Sequence, residues 1–459
     1  MPQPISQSTD NPNAKVVPPK ANQVARVVDK YYGVNENELC VGGLPVTTMV
    51  EQYGSPLFVY DQGIISRKIS EVRSILRPRF QLFYSIKANP NASILKLFLG
   101  EGCGIEVASA GEIHQALAAG CTADQIIFAG PGKTEPELDL AIEMTIREIH
   151  VESVEEAKLI NQLAGKRDQV VRVALRVNPV DSAGGAMRMG GKASPFGIDE
   201  EEIDSAIDEI DSLSNLYVQG VHLFMGTQIL DADVLVGQYH RAVSIAQHVA
   251  SRLGRPLETI DFGGGLGTPY FAHESELNLE CVAQGIADID QRMNADPLLS
   301  NTTAILEPGR FLVNESGIYV ARVLRVKHSR GKTFAVIDGG MHHHLAASGN
   351  LGQTIKRNYP IAVLNKLGMA EDTPVEIVGP LCTPLDTIGR GIMLPVIESG
   401  DLVGVFLSGA YARTSSPLGF LSHNTPPEIM VSEGRSTLIR RRGEPRDCLR
   451  DQAGQDVPS

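Results

Sequence analysis

The sequence lacks any pattern of paired cysteines. Its six cysteines include no CxxC pair and none of the spacings typical of a zinc site, so we expect free thiols in a reducing compartment. No segment approaches the roughly 18 consecutive apolar residues of a membrane span, and the N-terminus lacks the apolar region of a secretory signal. These absences predict a cytoplasmic protein without a membrane partner.

The chain also lacks a basic stripe. Its formal net charge is −13, and its densest basic run is the short triplet Arg440-Arg441-Arg442. A nucleic-acid-binding surface needs many cations along one face to neutralise phosphates. The charge pattern therefore argues against nucleic acid as a partner.

What the chain does have, between residues 61 and 310, is an alternation of short apolar runs with helical spacing. Eight such alternations predict an α/β fold, a (β/α)8 TIM-type barrel. No GxGxxG follows an early strand, which argues against a doubly wound sheet. The predicted barrel strands are 82–88, 104–108, 126–130, 148–152, 171–178, 218–225, 259–264 and 304–307.

After residue 310 the sequence pattern changes to short β-type runs, which are separated by turns rich in glycine and proline. An early run at 56–60 would be a ninth barrel strand, so we assign residues 25–60 together with 311–445 to a β domain that is discontinuous in sequence. Polar tails at 1–24 and 446–459 are predicted to be disordered and flexible. The predicted β-domain strands are 317–325, 333–338, 374–378 and 401–407.

Lys87 lies at the C-terminal end of the first predicted barrel strand, where Ala88-Asn89-Pro90 stops the apolar run. A lone lysine at a strand end is most often solvated, but the C-terminal end of a barrel strand faces the mouth where barrel enzymes act. Lys87 is therefore a candidate site residue whose interpretation depends on what accompanies it.

Two later segments supply groups that suit a phosphorylated cofactor. Gly263, Gly264 and Gly265 follow the seventh strand and expose backbone N–H groups, although three glycines can also be a simple turn. Glu307 and Arg310 end the eighth strand, where they could face a heterocyclic nitrogen and a phosphate, or form a surface salt bridge.

The β domain contributes further candidates. Cys382 lies between prolines on a short loop, as a proton donor or as a small apolar residue. Tyr411 offers a phenol to an anion. The run His342–His344 is unsuited to a metal because neighbouring side chains of an extended chain diverge; we predict no metal site and a substrate contact for His344.

Together these groups match the needs of pyridoxal 5'-phosphate (PLP). That cofactor requires a lysine for covalent attachment, a phosphate cradle, and an acid opposite its ring nitrogen. An acid there keeps the ring protonated, which favours a carbanion, as in decarboxylation. The residues thus predict a PLP-dependent carboxy-lyase.

With these motifs the chain, over about residues 50 to 445, resembles the fold type III PLP-dependent decarboxylases, which include diaminopimelate and ornithine decarboxylases. The resemblance implies that Lys87 carries PLP, that Glu307 faces the pyridine nitrogen, and that Cys382 acts as proton donor from the partner subunit. It also implies a homodimer with shared active sites. The cofactor-binding residues implied or predicted are Lys87, Phe224, Thr227, Gly263, Gly264, Gly265, Glu307, Arg310 and Tyr411.

Three positions depart from the usual family pattern. Phe224 stands where the family has a ring-stacking histidine, and it could still stack on the cofactor. Thr383 replaces an acid that reads a distal ammonium, and Ala346 replaces an arginine for a distal carboxylate. These changes indicate a substrate whose far end is masked or uncharged, with Thr383 as a substrate-binding residue.

The segments 187–191, 339–344 and 382–384 are similar to a narrower branch acting on a glutamyl group carried by an acyl-carrier protein in antibiotic biosynthesis. The first interpretation is therefore a decarboxylase of secondary metabolism, with a carrier protein as possible partner. Alternatives are decarboxylation of free diaminopimelate, lysine or ornithine, and a non-catalytic PLP-binding regulator. A racemase on the same barrel would have an arginine in place of Glu307.

Overall fold

Eight parallel strands form a closed barrel in the computed structural model, which describes residues 23–180, 187–188, 193–351, 353 and 356–453. The first and eighth strands pair with each other, so the ring has no open edge. The predicted TIM-type barrel is confirmed. Around the ring the strands are Phe80–Ser85, Gly104–Val107, Ile126–Phe128, Glu148–Val151, Val171–Asn178, Leu216–His222, Thr259–Asp261 and Thr303–Leu306.

Eight helices cover the outside of this barrel. Several begin at a short polar residue that accepts a hydrogen bond from the first turn: Asp61 from the Ile64 N–H at 3.1 Å, and Ser153 from the Glu156 N–H at 3.1 Å. Such caps satisfy backbone donors that the helix itself leaves unpaired. The helices are Gln62–Ile75, Ala92–Gly100, Ala110–Ala118, Glu135–Glu143, Val154–Lys166, Ile203–Asp211, Ala232–Leu253 and Leu279–Ala295.

A second, mainly antiparallel sheet is built from both ends of the chain. Its strand Leu57–Asp61 pairs antiparallel with Gly317–Ser329 and parallel with Glu428–Ser432. The predicted β domain that is discontinuous in sequence is thus confirmed, while its residue limits stay predictions. The other strands are Lys332–Ile337, Ile361–Val363, Thr373–Val378, Thr387–Leu394, Leu402–Val405 and Arg435–Arg440.

Smaller elements complete the fold. Helices Gln23–Tyr31 and Val46–Tyr53 flank a three-stranded sheet, a short helix Arg310–Val313 follows the barrel, and two-residue strands occur at Ile198–Asp199 and at Met187–Arg188 with Gly226–Thr227. The sheet strands are Gly33–Asn35, Glu38–Val41 and Leu44–Pro45. None of the helices in the described ranges is long and apolar enough to cross a membrane.

Some boundaries differ from those predicted. The first barrel strand ends at Ser85, and Ile86–Ala88 form a 3-10 turn, because Ile86 and Ala88 can be buried in a turn as well as in a strand. Helix Gln23–Tyr31 begins inside the predicted tail 1–24. Residues 1–22 and 454–459 of the predicted tails, and 189–191 of one signature segment, lie outside the described residues.

The two sheets meet beside Lys87. The backbone N–H of Tyr411 donates to the Ala88 carbonyl at 2.9 Å, and the Asn89 side chain donates to the Gly409 carbonyl at 3.1 Å. Asn89 is buried, so these bonds are shielded from water. The turn that carries Lys87 is therefore fixed from both units.

Candidate active site

A cavity of 310 Å³ opens at the C-terminal ends of the barrel strands. Eight of the residues predicted for cofactor binding line it, and Gly263 does not. Larger hollows of 600 and 660 Å³ open at the opposite end of the barrel, but they contain none of the predicted residues. The predicted residues that line the cavity are Lys87, Phe224, Thr227, Gly264, Gly265, Glu307, Arg310 and Tyr411.

Lys87 is held by a buried acid on the next strand. Its Nζ lies 3.2 Å from both carboxylate oxygens of Glu106, which also accepts a hydrogen bond from Ser85. The Lys87 side chain is 47% exposed, and it lines the cavity, whereas that of Glu106 is 2% exposed. Burial is the largest single influence and lowers the pKa of Lys87, but the nearby acidic groups of Glu106, Tyr411 and Glu307 together outweigh it and leave the pKa raised.

Strand register explains why these groups meet. Ser85 pairs with Glu106 on the neighbouring strand, and the turn Ile86–Ala88 that follows Ser85 brings the Lys87 ammonium to the Glu106 carboxylate. On the far side of the barrel, Arg176 pairs with His222 and His222 pairs with Asp261. Charged side chains thus line adjacent strands around one mouth.

Glu307 and Asp261 form a buried pair of acids at this mouth. One Asp261 oxygen accepts the Gly263 N–H at 2.7 Å, and its other oxygen has no hydrogen-bond partner. Burial, followed by the charge of Glu307, raises the pKa of Asp261 well above its usual range. Burial, followed by the charge of Glu106, also raises the pKa of Glu307, but a hydrogen bond from Asp261 opposes this rise. Asp261 is therefore the acid that keeps a proton, and Glu307 is the one that more readily carries the negative charge.

Two histidines lie next to this pair. His222 Nε2 is 3.6 Å from Glu307, and burial, followed by the neighbouring His150, lowers the pKa of His222 well below its usual value. His150 Nε2 lies 2.9 Å from Glu148 and 3.7 Å from Asp261. Glu148 also accepts hydrogen bonds from Thr259 and from Gln219, so it remains an acceptor despite full burial.

The set His150, His222, Asp261 and Glu307 has ligand atoms within 4.8 Å of one another, a spacing that a metal ion could use. Two of these groups are less available as metal ligands, since His150 is hydrogen-bonded to Glu148 and Asp261 keeps a proton. The arrangement fits a proton-sharing network better than a metal site, and the absence of a metal stays a prediction.

The glycine loop comes close to the end of the eighth strand. A Cβ on Gly264 would lie 2.6 Å from the Glu307 carbonyl oxygen, a distance that no side chain could occupy. Gly263 has φ +66° and packs against Phe224, behind the cavity wall, while Gly265 has φ +94°. Only glycine adopts these conformations and approaches without strain.

Arg310 lies at one end of the cavity among aromatic rings. Its Nη1 donates to the Tyr270 hydroxyl at 2.7 Å, and its guanidinium lies 4.6 Å from the centre of the Tyr411 ring. The Tyr270 hydroxyl in turn donates to Asn314 at 2.9 Å. Arg310 Nε is buried without a partner, so the guanidinium can still bind an anion.

These residues fit a pyridine ring that carries a phosphate. Glu307 Oε1 is buried and has no hydrogen-bond partner, as expected of an acid that awaits a ring N–H. At the other end of the cavity, Arg310 and the backbone of Gly264 and Gly265 offer donors to a phosphate. Lys87 lies on the cavity wall with a terminal amine.

Cys382 and Thr383 are not brought to the cavity of their own chain. Cys382 is exposed on the loop 379–386. Asp386 anchors this loop: one carboxylate oxygen accepts the Leu381 N–H at 2.9 Å, and the other accepts the Met341 N–H at 2.7 Å. The loop is thus well defined, and its tip faces away from the chain.

The predicted substrate contact His344 also lies away from the cavity. It is fully buried, with Nδ1 accepting the Ala347 N–H at 3.2 Å and Nε2 3.0 Å from the Ser408 hydroxyl. With both nitrogens paired inside the chain, this geometry favours a structural role for His344. Ala346 is 7% exposed and belongs to the apolar core.

Several cavity residues were not predicted from the sequence, namely Glu106, Arg176, His222 and Phe196. Arg176 is 2.5 Å from Glu152, which also accepts the Gly130 N–H at 3.1 Å and so ties two strand ends together. A charged residue inside an otherwise apolar strand, as at Glu106 and Arg176, is the signal that could have identified them.

Comparison with known proteins gives a consistent assignment. The family described as "Pyridoxal-dependent decarboxylase, pyridoxal binding domain" matches residues 62–314. The L-glutamyl-[BtrI acyl-carrier protein] decarboxylase of Niallia circulans is 40% identical, covering 89% of this chain and 96% of that protein. Diaminopimelate decarboxylase of Zymomonas mobilis is 31% identical, covering 92% and 98%.

Solved structures agree with these matches. The diaminopimelate decarboxylase of M. jannaschii superposes with a TM-score of 0.85 at 26% identity, covering 93% of this chain and 98% of that one. The Helicobacter pylori diaminopimelate decarboxylase complexed with L-lysine gives a TM-score of 0.79 at 30% identity, covering 88% and 98%.

Proposed function

Because the chain belongs to the family of pyridoxal-dependent decarboxylases, we propose that it removes the α-carboxylate from a glutamyl group attached to an acyl-carrier protein. The observation that carries this proposal is the cavity that unites Lys87, Glu307 and Arg310. The 40% identical relative is named for that substrate. The setting would be the biosynthesis of a secondary metabolite.

In this proposal, the cavity would hold pyridoxal phosphate. Lys87 would attach it covalently, and Glu307 would accept a hydrogen bond from its ring nitrogen. Phe224 and Thr227 would contact its ring. The phosphate group would be bound by Gly264 and Gly265 of the glycine loop, together with Arg310 and Tyr411, whereas Gly263 supports the loop from behind the cavity wall.

When bound, pyridoxal phosphate supplies an electron sink for the carbanion that loss of CO2 leaves behind. Glu307 serves this chemistry because its negative charge keeps a proton on the ring nitrogen. Glu106 pairs with Lys87 as long as the lysine is free and charged. Burial of these groups strengthens each interaction by excluding water.

The exposed loop 379–386 completes the site in a homodimer. Cys382 of the partner subunit would donate a proton to Cα after CO2 has left, and Thr383 would lie beside the distal end of the substrate. Support comes from the rigid anchoring of this loop by Asp386 and from its position away from its own cavity.

The distal end of the substrate is the part that separates this proposal from its alternative. Thr383 bears no charge, and Ala346 contributes only a buried methyl group. Neither could neutralise a distal ammonium or carboxylate, and a carboxylate bound as a thioester needs no such partner. These two positions favour a masked substrate.

The experiment compares three substrates for CO2 release: glutamate on the BtrI acyl-carrier protein, a glutamyl pantetheine thioester, and free diaminopimelate. We expect turnover of the two thioesters and little of the free amino acid. Lys87→Ala should lose both turnover and the visible absorbance of the bound cofactor. Thioesters left intact while diaminopimelate is consumed would contradict the proposed substrate.

The alternative, decarboxylation of free diaminopimelate, has support from the relatives near 31% identity. The substrate comparison distinguishes it directly.

A mixing experiment tests the shared site: Lys87→Ala and Cys382→Ala subunits, each inactive alone, should recover about a quarter of the parent activity when half the dimers carry one intact site. Recovery of nothing after verified exchange of subunits would argue against sharing.

A further inference from the structure

Three cations lie together on the surface of the β domain: Lys356, Arg357 and Arg390, called here the cationic patch. Lys356 and Arg357 are exposed, and Arg390 is half-buried. Within the described ranges, none of the three has a carboxylate within 4.0 Å. Three cations without ion pairs among the described residues form a local positive surface on a chain whose net charge is −13.

Hydrogen bonds join the patch into one surface. Lys356 Nζ donates to the Asn350 side chain at 2.5 Å, and the Asn350 amide donates to the Ser348 hydroxyl at 2.7 Å. Arg390 Nη1 donates to the Ser348 carbonyl at 3.2 Å. Arg390 also exchanges backbone hydrogen bonds with the side chain of Asn358, at 2.8 and 2.9 Å.

One border of the patch is the loop that carries Cys382 and Thr383. The Asn350 amide donates to the carbonyl of Leu385 in that loop at 3.2 Å. Leu385 is 51% exposed and Leu351 is 43% exposed, so apolar side chains stand beside the cations. Exposed leucines flanked by charges are typical of a protein-binding surface.

The other border of the patch approaches the phosphate end of the cavity. The Arg357 guanidinium lies 5.2 Å from the centre of the Phe271 ring and 3.1 Å from His273 Nε2. Tyr270, next in sequence to Phe271, accepts a hydrogen bond from the cavity residue Arg310. The patch therefore extends from the 379–386 loop to the outer side of the cavity.

We propose that the cationic patch is the docking surface for an acidic carrier protein that delivers the substrate. This inference rests on the proposed function. An acidic partner would be repelled by most of a chain with a net charge of −13, and it needs local cations of this kind to approach. Leu351 supplies an apolar contact, and the neighbouring loop 379–386, proposed to enter the partner subunit's cavity, would place the patch beside a catalytic cavity.

The test removes two charges from the patch and leaves Arg390, which supports the backbone at Ser348. The double variant Lys356→Gln/Arg357→Gln is compared with a control double variant, Arg77→Gln/Lys96→Gln. The control pair is exposed and has no ion pair in the described part of the chain, and Arg77 precedes the first strand at the opposite end of the barrel. Both variants lose the same net charge.

Two readouts are measured with the BtrI acyl-carrier protein: the dissociation constant of the carrier from the holoenzyme, and KM for its glutamyl form. We expect both to rise about tenfold at low salt in the patch variant, with kcat kept and the control unchanged. The difference from the parent should shrink at high salt because exposed charges are screened. KM for the pantetheine thioester should stay within about twofold of the parent.

The outcomes are distinct. Carrier affinity equal to that of the parent in the patch variant would overturn the docking surface, as would an equal loss in the control. A patch variant that becomes monomeric would show instead that the patch joins two copies of the chain, which also overturns the proposal. Weakened carrier binding without CO2 release from either thioester would support the surface and refute the proposed reaction.

Discussion

The ammonium of Lys87 lies 3.2 Å from both carboxylate oxygens of Glu106. This ion pair holds the proposed cofactor lysine in its charged form before the cofactor arrives. Covalent attachment to an aldehyde requires the uncharged amine. Glu106 therefore orients the lysine and at the same time slows its first reaction.

Glu106→Gln should accelerate covalent attachment of pyridoxal phosphate to the apo-protein near pH 8. Burial lowers the pKa of Lys87, and the charge of Glu106 is the main effect that raises it. Without that charge, the pKa of Lys87 should fall. The rate, followed by visible absorbance, should reach its half-maximum at a pH lower by about one unit or more. Glu106→Asp keeps the charge and should resemble the parent. A glutamine variant with the parent's pH profile would contradict this account.

Removing His150 should destabilise the barrel. Its Nε2 lies 2.9 Å from Glu148, and both side chains are fully buried. His150→Leu leaves one acceptor site of a buried acid unpaired, which should lower the free energy of unfolding by about 2 kcal/mol in urea. His248→Leu is the matched control, because His248 forms an exposed pair with Asp204 at 2.7 Å. The control should change stability by less than about 0.5 kcal/mol, and equal losses in both variants would refute the role of burial.

Gly264→Ala should weaken cofactor binding. The new methyl group would lie 2.6 Å from the Glu307 carbonyl oxygen, so the loop and the strand end must separate. We expect the dissociation constant of pyridoxal phosphate to rise by about tenfold or more, measured by fluorescence titration of the apo-protein. Gly237→Ala, in the helix Ala232–Leu253 with no atom within 4 Å of the new methyl, should keep the parent value. An unchanged constant for Gly264→Ala would show that the loop tolerates a side chain.

The run His342–His344 should make the protein sensitive to acid. Burial lowers the pKa of these histidines to about 4, 2 and 3 in chain order. The unfolded chain takes up protons below about pH 6.5, where the folded one does not, so stability is lost as the pH falls from 6.5. Between pH 7 and 5.5 the three should together cost about 4 kcal/mol.

This prediction is checked by urea unfolding at the two pH values. His344→Gln should reduce the loss by about a third, whatever its effect at pH 7, because one buried imidazole no longer contributes. The exposed histidine variant His248→Gln should show the parent's full loss. A pH dependence that His344→Gln leaves intact would mean that other groups drive acid unfolding.

The barrel could be predicted from the sequence because its strands are buried on both faces and read as short apolar runs. The strand Thr387–Leu394 was missed, since it contains Gly389 and Gly391 and its buried and exposed residues do not alternate regularly. Glycines at such positions resemble a turn. The 3-10 turn at Ile86–Ala88 was predicted as strand because Ile86 and Ala88 continue the apolar run before them.

The site was predicted in part. Lys87, Glu307 and Arg310 follow strands, where the fold itself brings them together. The contacts that Glu106 and His150 make could not be predicted without the strand register, because a shift of one residue would turn each side chain to the other face. The exposed position of Cys382 likewise depends on how Asp386 folds its loop, which no local pattern reveals.

The bond between the Tyr411 N–H and the Ala88 carbonyl has an evolutionary consequence. A barrel severed from the β domain would lose Tyr411 and the backbone support of the Lys87 turn together. Selection for this cavity therefore acts on both units together, because neither unit forms it alone. Substitutions that change substrate preference, by contrast, could accumulate in the 379–386 loop without disturbing the hydrogen bond between Tyr411 and Ala88.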